Sequence, residues 1–343
     1  MKLAQAWYGP RWRLGWLWPL HLLMRIVVAC RRAFYRWRIL GSDHPGVPVI
    51  VVGNITVGGT GKTPLVLWLV EHLRAQGWNP GIASRGYGGK SAAYPCQVAA
   101  DSMASEVGDE PLLLQRSSNT PVVVDPKRSR AANRLRELGC DIVISDDGLQ
   151  HYALRRDLEI VVIDAVRQLG NGWLIPAGPL REMPARLRQI SLRVGNGAVI
   201  PGLAEHAMRL LAEPHMPAVG NDESSTLQAF IGKQVHAVAG IGNPARFFTS
   251  LRNAGILLIE HPYPDHHVYR AMDFPWQDAP ILMTEKDAVK CAAFARSNMW
   301  YVRVRAELDA AFVVKLDGQL QRLRHGDAIN GTTKGTTKGK KRG

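Results

Sequence analysis

The sequence predicts an α/β fold in which a parallel sheet has helices on both faces, followed by a smaller C-terminal α/β domain. Three observations lead to this prediction. Short runs of β-branched residues alternate with helical patterns, a glycine-rich loop joins the first of these runs to a helix, and a later run ends in two aspartates. Such alternation is typical of βαβ units and therefore of a parallel sheet. A length of 343 residues is sufficient for two domains.

The positive charge of the chain is concentrated at its two ends. The net charge is +14, and residues 1–42 contain eight basic and no acidic residues, while residues 331–343 add five basic and no acidic ones. Residues 43–330 are nearly neutral, which argues against a nucleic-acid partner. Four widely spaced cysteines form no C-x-x-C pair, so neither a zinc ribbon nor a disulfide framework is expected. Nothing in the sequence implies an obligatory protein partner.

Residues 1–45 are predicted to form an amphipathic, membrane-associated helical segment. Five of the ten tryptophans lie among the first 37 residues, interleaved with arginines. Indole rings favour the headgroup level of a bilayer and arginines favour anionic lipid, whereas the longest uncharged run, residues 14–24, is too short to span it. Two alternatives are a helix packed on the protein core and a lipoprotein signal ending at Cys30. The glycine-, threonine- and lysine-rich tail, 331–343, is expected to be disordered.

The first strand is expected at residues 47–53, a buried apolar run, and the first helix of the sheet at residues 64–76. The glycine-rich loop between them gives the arrangement of a phosphate-binding P-loop, in which backbone N–H groups and the helix N-terminus face phosphate. The residues expected to bind nucleotide are Thr56, Val57, Gly58, Gly59, Thr60, Gly61, Lys62 and Thr63.

Two side chains of this loop have specific expected tasks. Lys62 reaches the β and γ phosphates, and the Thr63 hydroxyl binds Mg²⁺. The strict Walker pattern has glycine where this chain has Thr56, but the G-G-x-G-K-T core is intact. The alternative is a glycine-rich turn with a solvated lysine. The flanking strand and helix favour phosphate binding.

A second strand, residues 141–147, ends in Asp146 and Asp147. P-loop enzymes need a carboxylate at the end of a neighbouring strand to hold Mg²⁺, so these two acids are candidate metal ligands. Gln150 and His151 follow in the loop at the carboxyl end of the sheet, where α/β proteins bind ligands. A strand-end aspartate pair that caps the next helix is the alternative.

Further apolar runs complete the two predicted domains. Residues 121–125 and 158–164 are expected as strands and 127–138 as a helix. After a polar break at 220–226, four more strands are expected at 235–240, 255–261, 280–284 and 299–304. The predicted organisation is therefore an N-terminal segment (1–45), a P-loop core (46–225), a smaller α/β domain (226–330) and a basic tail (331–343).

Seven ordered motifs give the chain a family resemblance. It resembles the tetraacyldisaccharide 4'-kinases of the Gram-negative lipid A pathway over almost its whole length. The motifs are VGN (52–54) with VGGTGKTP (57–64), SRGYG (84–88), GDEP (108–111), SDDGLQH (145–151), PAGPLRE (176–182), YPDH (263–266) and TEKDAVK (284–290). That family tolerates residues such as Thr56 in the P-loop and has an N-terminal membrane-associated helix.

The resemblance implies a lipid kinase on the cytoplasmic face of the bacterial inner membrane, peripherally bound to anionic lipid. It would use ATP and Mg²⁺ to phosphorylate the 4'-hydroxyl of a tetraacylated glucosamine disaccharide 1-phosphate, giving lipid IVA. By the same resemblance Asp109 and His266 form the catalytic pair with Lys62, and the metal shell is Thr63, Glu110, Asp146 and Asp147. An aspartate oriented by a histidine is a physically reasonable base.

Several assignments stay open at this point. His267 is adjacent to His266 and is an alternative partner of Asp109, and the Gly108–Pro111 motif also suits an ordinary helix start. A phosphorylated, acylated sugar needs guanidinium and aromatic contacts, and structural ion pairs are the alternative. The candidate substrate-binding residues are Arg85, Tyr87, Arg128, Gln150, His151 and Arg181.

The main competing function is a membrane-associated P-loop switch ATPase that makes no small-molecule product. Such proteins often carry an additional lysine in the P-loop, where this chain has Thr56 and Val57. Residues 284–287, TEKD, superficially resemble a guanine-reading motif, but the adjacent lysine and aspartate have the wrong spacing. ATP is therefore the expected nucleotide.

Overall fold

The computed structural model describes residues 6–99, 101–212, 216–217, 227–265, 267–277 and 279–325. The predicted basic tail, the polar break at 220–226 and His266 lie outside these residues. Within them the chain forms two sheets. The strands are β1 (Val49–Gly53), β2 (Pro80–Ser84), β3 (Cys96–Gln97), β4 (Val122–Val124), β5 (Ile142–Asp146), β6 (Leu158–Asp164), β7 (Leu192–Asn196), β8 (His206–Ala212), β9 (Met216–Pro217), β10 (Gln234–Ala239), β11 (Leu257–Pro262), β12 (Ile281–Thr284), β13 (Met299–Val302) and β14 (Val304–Leu308).

Eight α-helices occur in the described part of the chain. They are α1 (Trp18–Arg36), α2 (Lys62–Ala75), α3 (Ala104–Val107), α4 (Asp109–Ser118), α5 (Arg128–Glu137), α6 (Pro244–Asn253), α7 (Glu285–Cys291) and α8 (Ala310–Arg324). Short 3₁₀ turns precede α1, at Arg11–Leu17, and connect other elements.

The first sheet has nine strands in the order β14-β8-β7-β6-β1-β5-β2-β4-β3. Seven of them are parallel, and the two edge strands are antiparallel to their neighbours. Alternate residues of β1 face opposite sides, as strand geometry requires: Ile50 and Val52 pack with α2, α4 and α8, and Val49 and Val51 pack with α5. The predicted parallel sheet with helices on both faces is confirmed.

The second sheet has five strands in the order β11-β10-β12-β13-β9, parallel except for β9. Phe247, Phe248 and Leu251 of α6 are buried on one face, and Phe274 and Met283 belong to the core on the other. The strands expected between residues 235 and 304 are therefore present. The segments that follow strands β10 and β12 therefore lie beside the first sheet.

The chain returns to the first sheet after the second one is complete. Arg303 alone separates β13 from β14, which pairs with β8, and the Phe312, Leu316 and Leu320 side chains of α8 are buried in the first core. Residues 304–324 therefore pack with the P-loop core, although the sequence placed all of 226–330 in the smaller domain. The single apolar run expected at 299–304 is in fact divided between two sheets.

Helix α1 lies against the body of the protein along one side. The helical stretch Arg11–Arg36, which includes the preceding 3₁₀ turn, is long and apolar enough to span a membrane by length and composition alone. However, the His21 ring accepts a hydrogen bond from the Leu174 backbone N–H (2.9 Å), Arg31 donates to the Gln150 carbonyl (3.1 Å), and Met24 and Val28 pack on the core. One side of the helix therefore contacts the body of the protein over about three turns. The other side of the helix is exposed and apolar. Together with the preceding turn and the residue that follows the helix, it presents Trp12, Trp16, Leu23, Ile26, Val27 and Trp37.

Candidate active site

The glycine-rich loop connects β1 to α2 in a conformation that its sequence requires. Gly61 has φ +92° and directly precedes Lys62, the first residue of α2. A Cβ at Gly61 would lie 2.5 Å from the Asn196 amide nitrogen, which donates to the Thr60 carbonyl (2.8 Å). Both the backbone angle and the available space therefore demand glycine. The loop presents the N-terminus of α2, the positive end of a helix, at the carboxyl edge of the sheet.

Neighbouring loops hold the glycine-rich loop in place. The Gln150 amide donates to the Asn54 carbonyl (3.0 Å), and the Asn54 amide donates to the Gly58 carbonyl (3.2 Å). On the other side, the Val57 backbone N–H donates to the Pro179 carbonyl (2.8 Å). These bonds fix the loop within the protein itself, so less ordering is needed when phosphate binds.

Asp147 forms ion pairs at the end of β5, beside the glycine-rich loop. The Lys62 ammonium lies 3.5 Å from Asp147 Oδ1, and the Arg181 guanidinium lies 2.8 Å from Oδ2. Burial by itself raises the pKa of Asp147, but Lys62 and Arg181 outweigh it and hold that pKa below its usual value. Asp147 is therefore an ionised carboxylate that orients the P-loop lysine.

The Asp146 carboxylate is buried and has a raised pKa, as expected for a cation ligand. Burial, with the nearby charges of Glu110 and Asp147, raises the pKa of Asp146 to about 7. Its buried Oδ1 has no hydrogen-bond partner within the described part of the chain. A divalent ion would satisfy this oxygen, so the residues fit Mg²⁺. No group of three His, Cys, Asp or Glu side chains placed for a metal occurs among the described residues, and phosphate and water would have to complete the coordination.

Asp109 and Glu110 begin helix α4, and lysines of α7 neutralise them. The Lys286 ammonium lies 3.6 Å from Asp109 Oδ2 and 3.2 Å from Glu110 Oε1, and the Lys290 ammonium lies 3.7 Å from Asp109 Oδ2. Burial by itself lowers the pKa of Lys286, but Glu110, Asp109 and Asp265 outweigh it and raise the pKa. Because the charge of Glu110 acts on Asp146, this cluster lies beside the end of β5.

Two of the predicted substrate residues, Arg128 and His151, support the end of β5, and their contact with substrate stays a prediction. The buried Arg128 guanidinium donates to the Asp146 carbonyl (2.9 Å), and the Arg128 backbone N–H donates to His151 Nε2 (3.2 Å). Burial, followed by Arg128, lowers the pKa of His151 to about 4. A neutral ring is what the bond requires, because Nε2 must accept. Arg181 and Gln150 similarly hold Asp147 and the P-loop.

Arg85 and Tyr87 have the exposure that a substrate contact requires. Both side chains are exposed in the loop after β2, and Tyr87 retains 65% of its surface. The charge of Arg85 acts on both Arg128 and His151, which places it near the acidic end of β5. Their contact with substrate stays a prediction.

The low pKa of His151 leads to a prediction about stability. A histidine whose folded-state pKa is about 4 remains neutral while the unfolded chain takes up a proton below about pH 6.5. The free energy of unfolding should therefore fall as the pH decreases from about 6.5 to 4. We expect the stability advantage of the wild type over His151→Asn, measured by urea unfolding, to be smaller at pH 5 than at pH 7.5. An advantage that is equal at both pH values would contradict the assignment.

The histidine partner predicted for Asp109, His266, lies outside the described residues, so the Asp109–His266 pair stays a prediction. The alternative, His267, packs on Tyr263 and Tyr269, with Nε2 3.5 Å from Asp273 Oδ2. The residue before His266, Asp265, has Oδ1 3.4 Å from the Lys286 ammonium. The chain therefore reaches the Asp109 cluster immediately before His266.

The sequence assigned no site role to four residues that the structure places around this edge. Lys286 and Lys290 contact Asp109, Asn196 holds the P-loop, and the Arg246 guanidinium donates to Asn196 Oδ1 (2.8 Å). The two lysines stand four residues apart in the TEKDAVK motif, and that spacing puts them on one face of a helix. Asn196 and Arg246 carry no comparable signal.

The loop, the helix N-terminus, Lys62 and the strand-end carboxylates together define a P-loop nucleoside triphosphate-binding protein. Residues 14–321 match the model of a more particular group, described as tetraacyldisaccharide-1-P 4'-kinase. The chain belongs to the tetraacyldisaccharide 4'-kinase family.

The chain aligns with relatives named tetraacyldisaccharide 4'-kinase over most of their length. The chain is 51% identical to a tetraacyldisaccharide 4'-kinase of Methylobacillus flagellatus, with 94% of this chain and 96% of that protein covered. It is 50% identical to one of Alkalilimnicola ehrlichii, with coverages of 92% and 95%. Its fold is similar to the crystal structure of LpxK from Aquifex aeolicus in complex with ATP, with a TM-score of 0.75, 27% identity and coverages of 90% and 99%.

Proposed function

We propose that this protein transfers the γ-phosphoryl group of ATP to the 4'-hydroxyl of a tetraacylated glucosamine disaccharide 1-phosphate, giving lipid IVA. The observation that carries the proposal is the combination of family membership across residues 14–321 with a P-loop whose lysine faces Asp147 at 3.5 Å. A switch ATPase would share the P-loop but has no need of the buried Asp109 cluster.

The nucleotide is bound mainly by the P-loop and its lysine. Residues 56–63 would surround the phosphates, and Lys62, which lies 3.5 Å from Asp147, would contact the γ-phosphate. Thr63, Asp146, Asp147 and Glu110 would hold Mg²⁺, which neutralises phosphate charge when bound. Asp146 Oδ1, which has no hydrogen-bond partner among the described residues, supports this arrangement, because a buried carboxylate oxygen is costly unless it has a cation or donor.

The acceptor hydroxyl is deprotonated by Asp109 in this proposal. Its oxygen attacks the γ-phosphorus, the bond to the ADP oxygen breaks, and the hydroxyl proton passes to Asp109. The ammonium groups of Lys286 and Lys290 lie 3.6 Å and 3.7 Å from Oδ2 of this carboxylate and hold it in place. His266 would orient the carboxylate and share the proton, as an Asp–His pair does elsewhere in general base catalysis.

The exposed face of the N-terminal segment supports membrane binding. An acylated substrate is embedded in a bilayer, and the exposed indoles and aliphatic side chains of residues 12–37 form a surface suited to its headgroup level. Because α1 contacts the body at His21 and Arg31, we place the protein peripherally on the cytoplasmic face of the inner membrane, bound to anionic lipid. The exposed Arg85 and Tyr87 would contact the substrate headgroup.

The membrane role of the tryptophans is testable with a surface variant. Trp12 and Trp16 are 76% and 75% exposed, so replacing both with glutamine removes apolar area without disturbing the core. We expect affinity for phosphatidylglycerol-containing vesicles to fall by about tenfold or more, with ATP affinity and melting temperature unchanged. Val314→Gln, a change at an exposed apolar residue of α8, is the control. Equal vesicle binding by the double variant would disprove the surface assignment.

The two candidate functions differ in what stimulates ATP turnover. We expect ADP formation by the purified protein in detergent and Mg²⁺ to be low, and to rise in proportion to added disaccharide 1-phosphate acceptor. ADP formation that is insensitive to the acceptor but stimulated by a protein fraction would favour the switch ATPase.

A further inference from the structure

Helix α7 of the second sheet contributes two lysines to the edge of the first. Lys286 and Lys290 are four residues apart, so both ammonium groups leave the same face of the helix and reach the first turn of α4. The contacts join residues about 180 positions apart in sequence. They connect the second sheet directly to the proposed base.

The contacts of Lys286 are unusually numerous for one ammonium group. It lies within 3.6 Å of Asp109, 3.2 Å of Glu110 and 3.4 Å of Asp265, and its side chain is only 15% exposed. A lysine on the surface pairs weakly and moves freely. Burial has a large desolvation cost that three carboxylates offset, and it confines the ammonium to one position.

The rest of α7 is fixed to its own sheet. Asp287 is fully buried and accepts hydrogen bonds from the Gly240 backbone N–H (2.9 Å) and the Thr284 hydroxyl (2.6 Å), and Lys290 pairs with it at 3.1 Å. The Lys286 side chain therefore extends from a helix that is held firmly to the second sheet. Its ammonium can act as a fixed point against which the two carboxylates of α4 are aligned.

The far end of α4 is held by the same helix. The Ser117 hydroxyl donates to Glu285 Oε1 (2.8 Å), and Arg303, the residue that links the two sheets, lies 3.4 Å from the same oxygen. Helix α4 thus contacts α7 at both of its ends. Its first turn contacts Lys286, and its last turn contacts Glu285. The second sheet determines where the first turn of α4 points.

We propose that Lys286 is a positioning residue that holds the Asp109 and Glu110 carboxylates in register with the acceptor hydroxyl and the phosphates. The proposal rests on the function proposed above. It gives the second α/β unit a task in the reaction: the unit supplies, from α7, the cation that aligns the base. Lys286 acts through Asp109 and Glu110, while nucleotide affinity comes from the P-loop.

The test compares Lys286→Met, Lys286→Arg and the control Lys315→Met, a change at a lysine of α8 paired with Glu205. The wild type is first shown to phosphorylate the disaccharide acceptor, which tests the proposed function separately. We expect Lys286→Met to lower kcat about 10- to 100-fold, the scale of one charge-assisted bond, with KM for ATP within about threefold. Lys286→Arg should recover most of the lost kcat, and Lys315→Met should match the wild type.

Two results would overturn the proposal. One is a Lys286→Met variant with kcat within twofold of the wild type. The other is a loss that appears in KM for ATP alone, or that Lys286→Arg does not relieve although both proteins melt as the wild type does. If Lys286→Met does not fold, Lys286→Gln, which removes the charge but keeps a polar hydrogen-bond donor on a shorter side chain, is expected to lower kcat over the same range and is judged by the same two results.

Discussion

The Asp109→Asn variant is expected to lose about two to four orders of magnitude in kcat, the contribution typical of a general base. Asn keeps the size of the side chain and an oxygen for the bond that the Glu110 backbone N–H donates to Asp109 (3.1 Å). It removes the site that accepts the hydroxyl proton. Initial rates with labelled ATP and the lipid acceptor measure the loss, and calorimetry should show that ATP affinity is preserved because the P-loop is unchanged.

A nearby acid provides the control for this experiment. Glu106 is exposed in α3, three residues before Asp109, and Glu106→Gln should leave the rate as it is. The assignment of Asp109 is refuted if Asp109→Asn turns over as fast as Glu106→Gln. A variant that loses ATP binding together with activity would show that Asp109 supports the nucleotide site instead.

The second large effect is expected for Lys62→Ala. The ammonium of Lys62 is the P-loop cation that stabilises charge on the transferred phosphoryl group, and removing one such group typically costs a hundred- to thousandfold in rate. Its loss also removes a charge that lowers the pKa of Asp146 and one of the two cations on Asp147. We expect kcat/KM for ATP to fall by about a hundred- to thousandfold.

The matched control is Lys233→Ala, a change at an exposed lysine of the second unit. It alters the net charge equally, so any general effect on membrane or substrate attraction appears in both variants. A decrease of less than tenfold for Lys62→Ala relative to Lys233→Ala would contradict the P-loop assignment.

Three of the strands that the sequence predicted well, β1, β5 and β6, are buried on both faces. Apolar residues dominate these strands because helices cover both sides of the sheet, although Ser145 interrupts β5 and Glu159 interrupts β6. β2, with its proline and glycine, and β7, with Arg193 and Asn196, are equally part of the sheet but lack that signature. β14 was missed because its pairing with β8 joins segments nearly 100 residues apart, which no local pattern reveals.

Residues of the candidate active site also differ in whether a local sequence pattern predicts their position. Asp146 beside the P-loop could be predicted, since a strand-end acid and a glycine-rich loop meet at one edge of a parallel sheet. The lysines of α7 could not, because their position depends on how the second sheet packs on the first. Arg128 looked like a substrate clamp from its charge, and only the structure reveals its bond to the Asp146 carbonyl.

The position of the transferred phosphate distinguishes a 4'-kinase from an ATPase and from a kinase that acts on another hydroxyl. The wild-type protein is incubated with ATP, Mg²⁺ and the tetraacylated disaccharide 1-phosphate, and the lipid product is analysed by ³¹P NMR. We predict one new phosphomonoester per ADP formed, coupled to the proton at the 4' carbon. ADP formation without a new lipid phosphate, or a phosphate at another hydroxyl, would contradict the account.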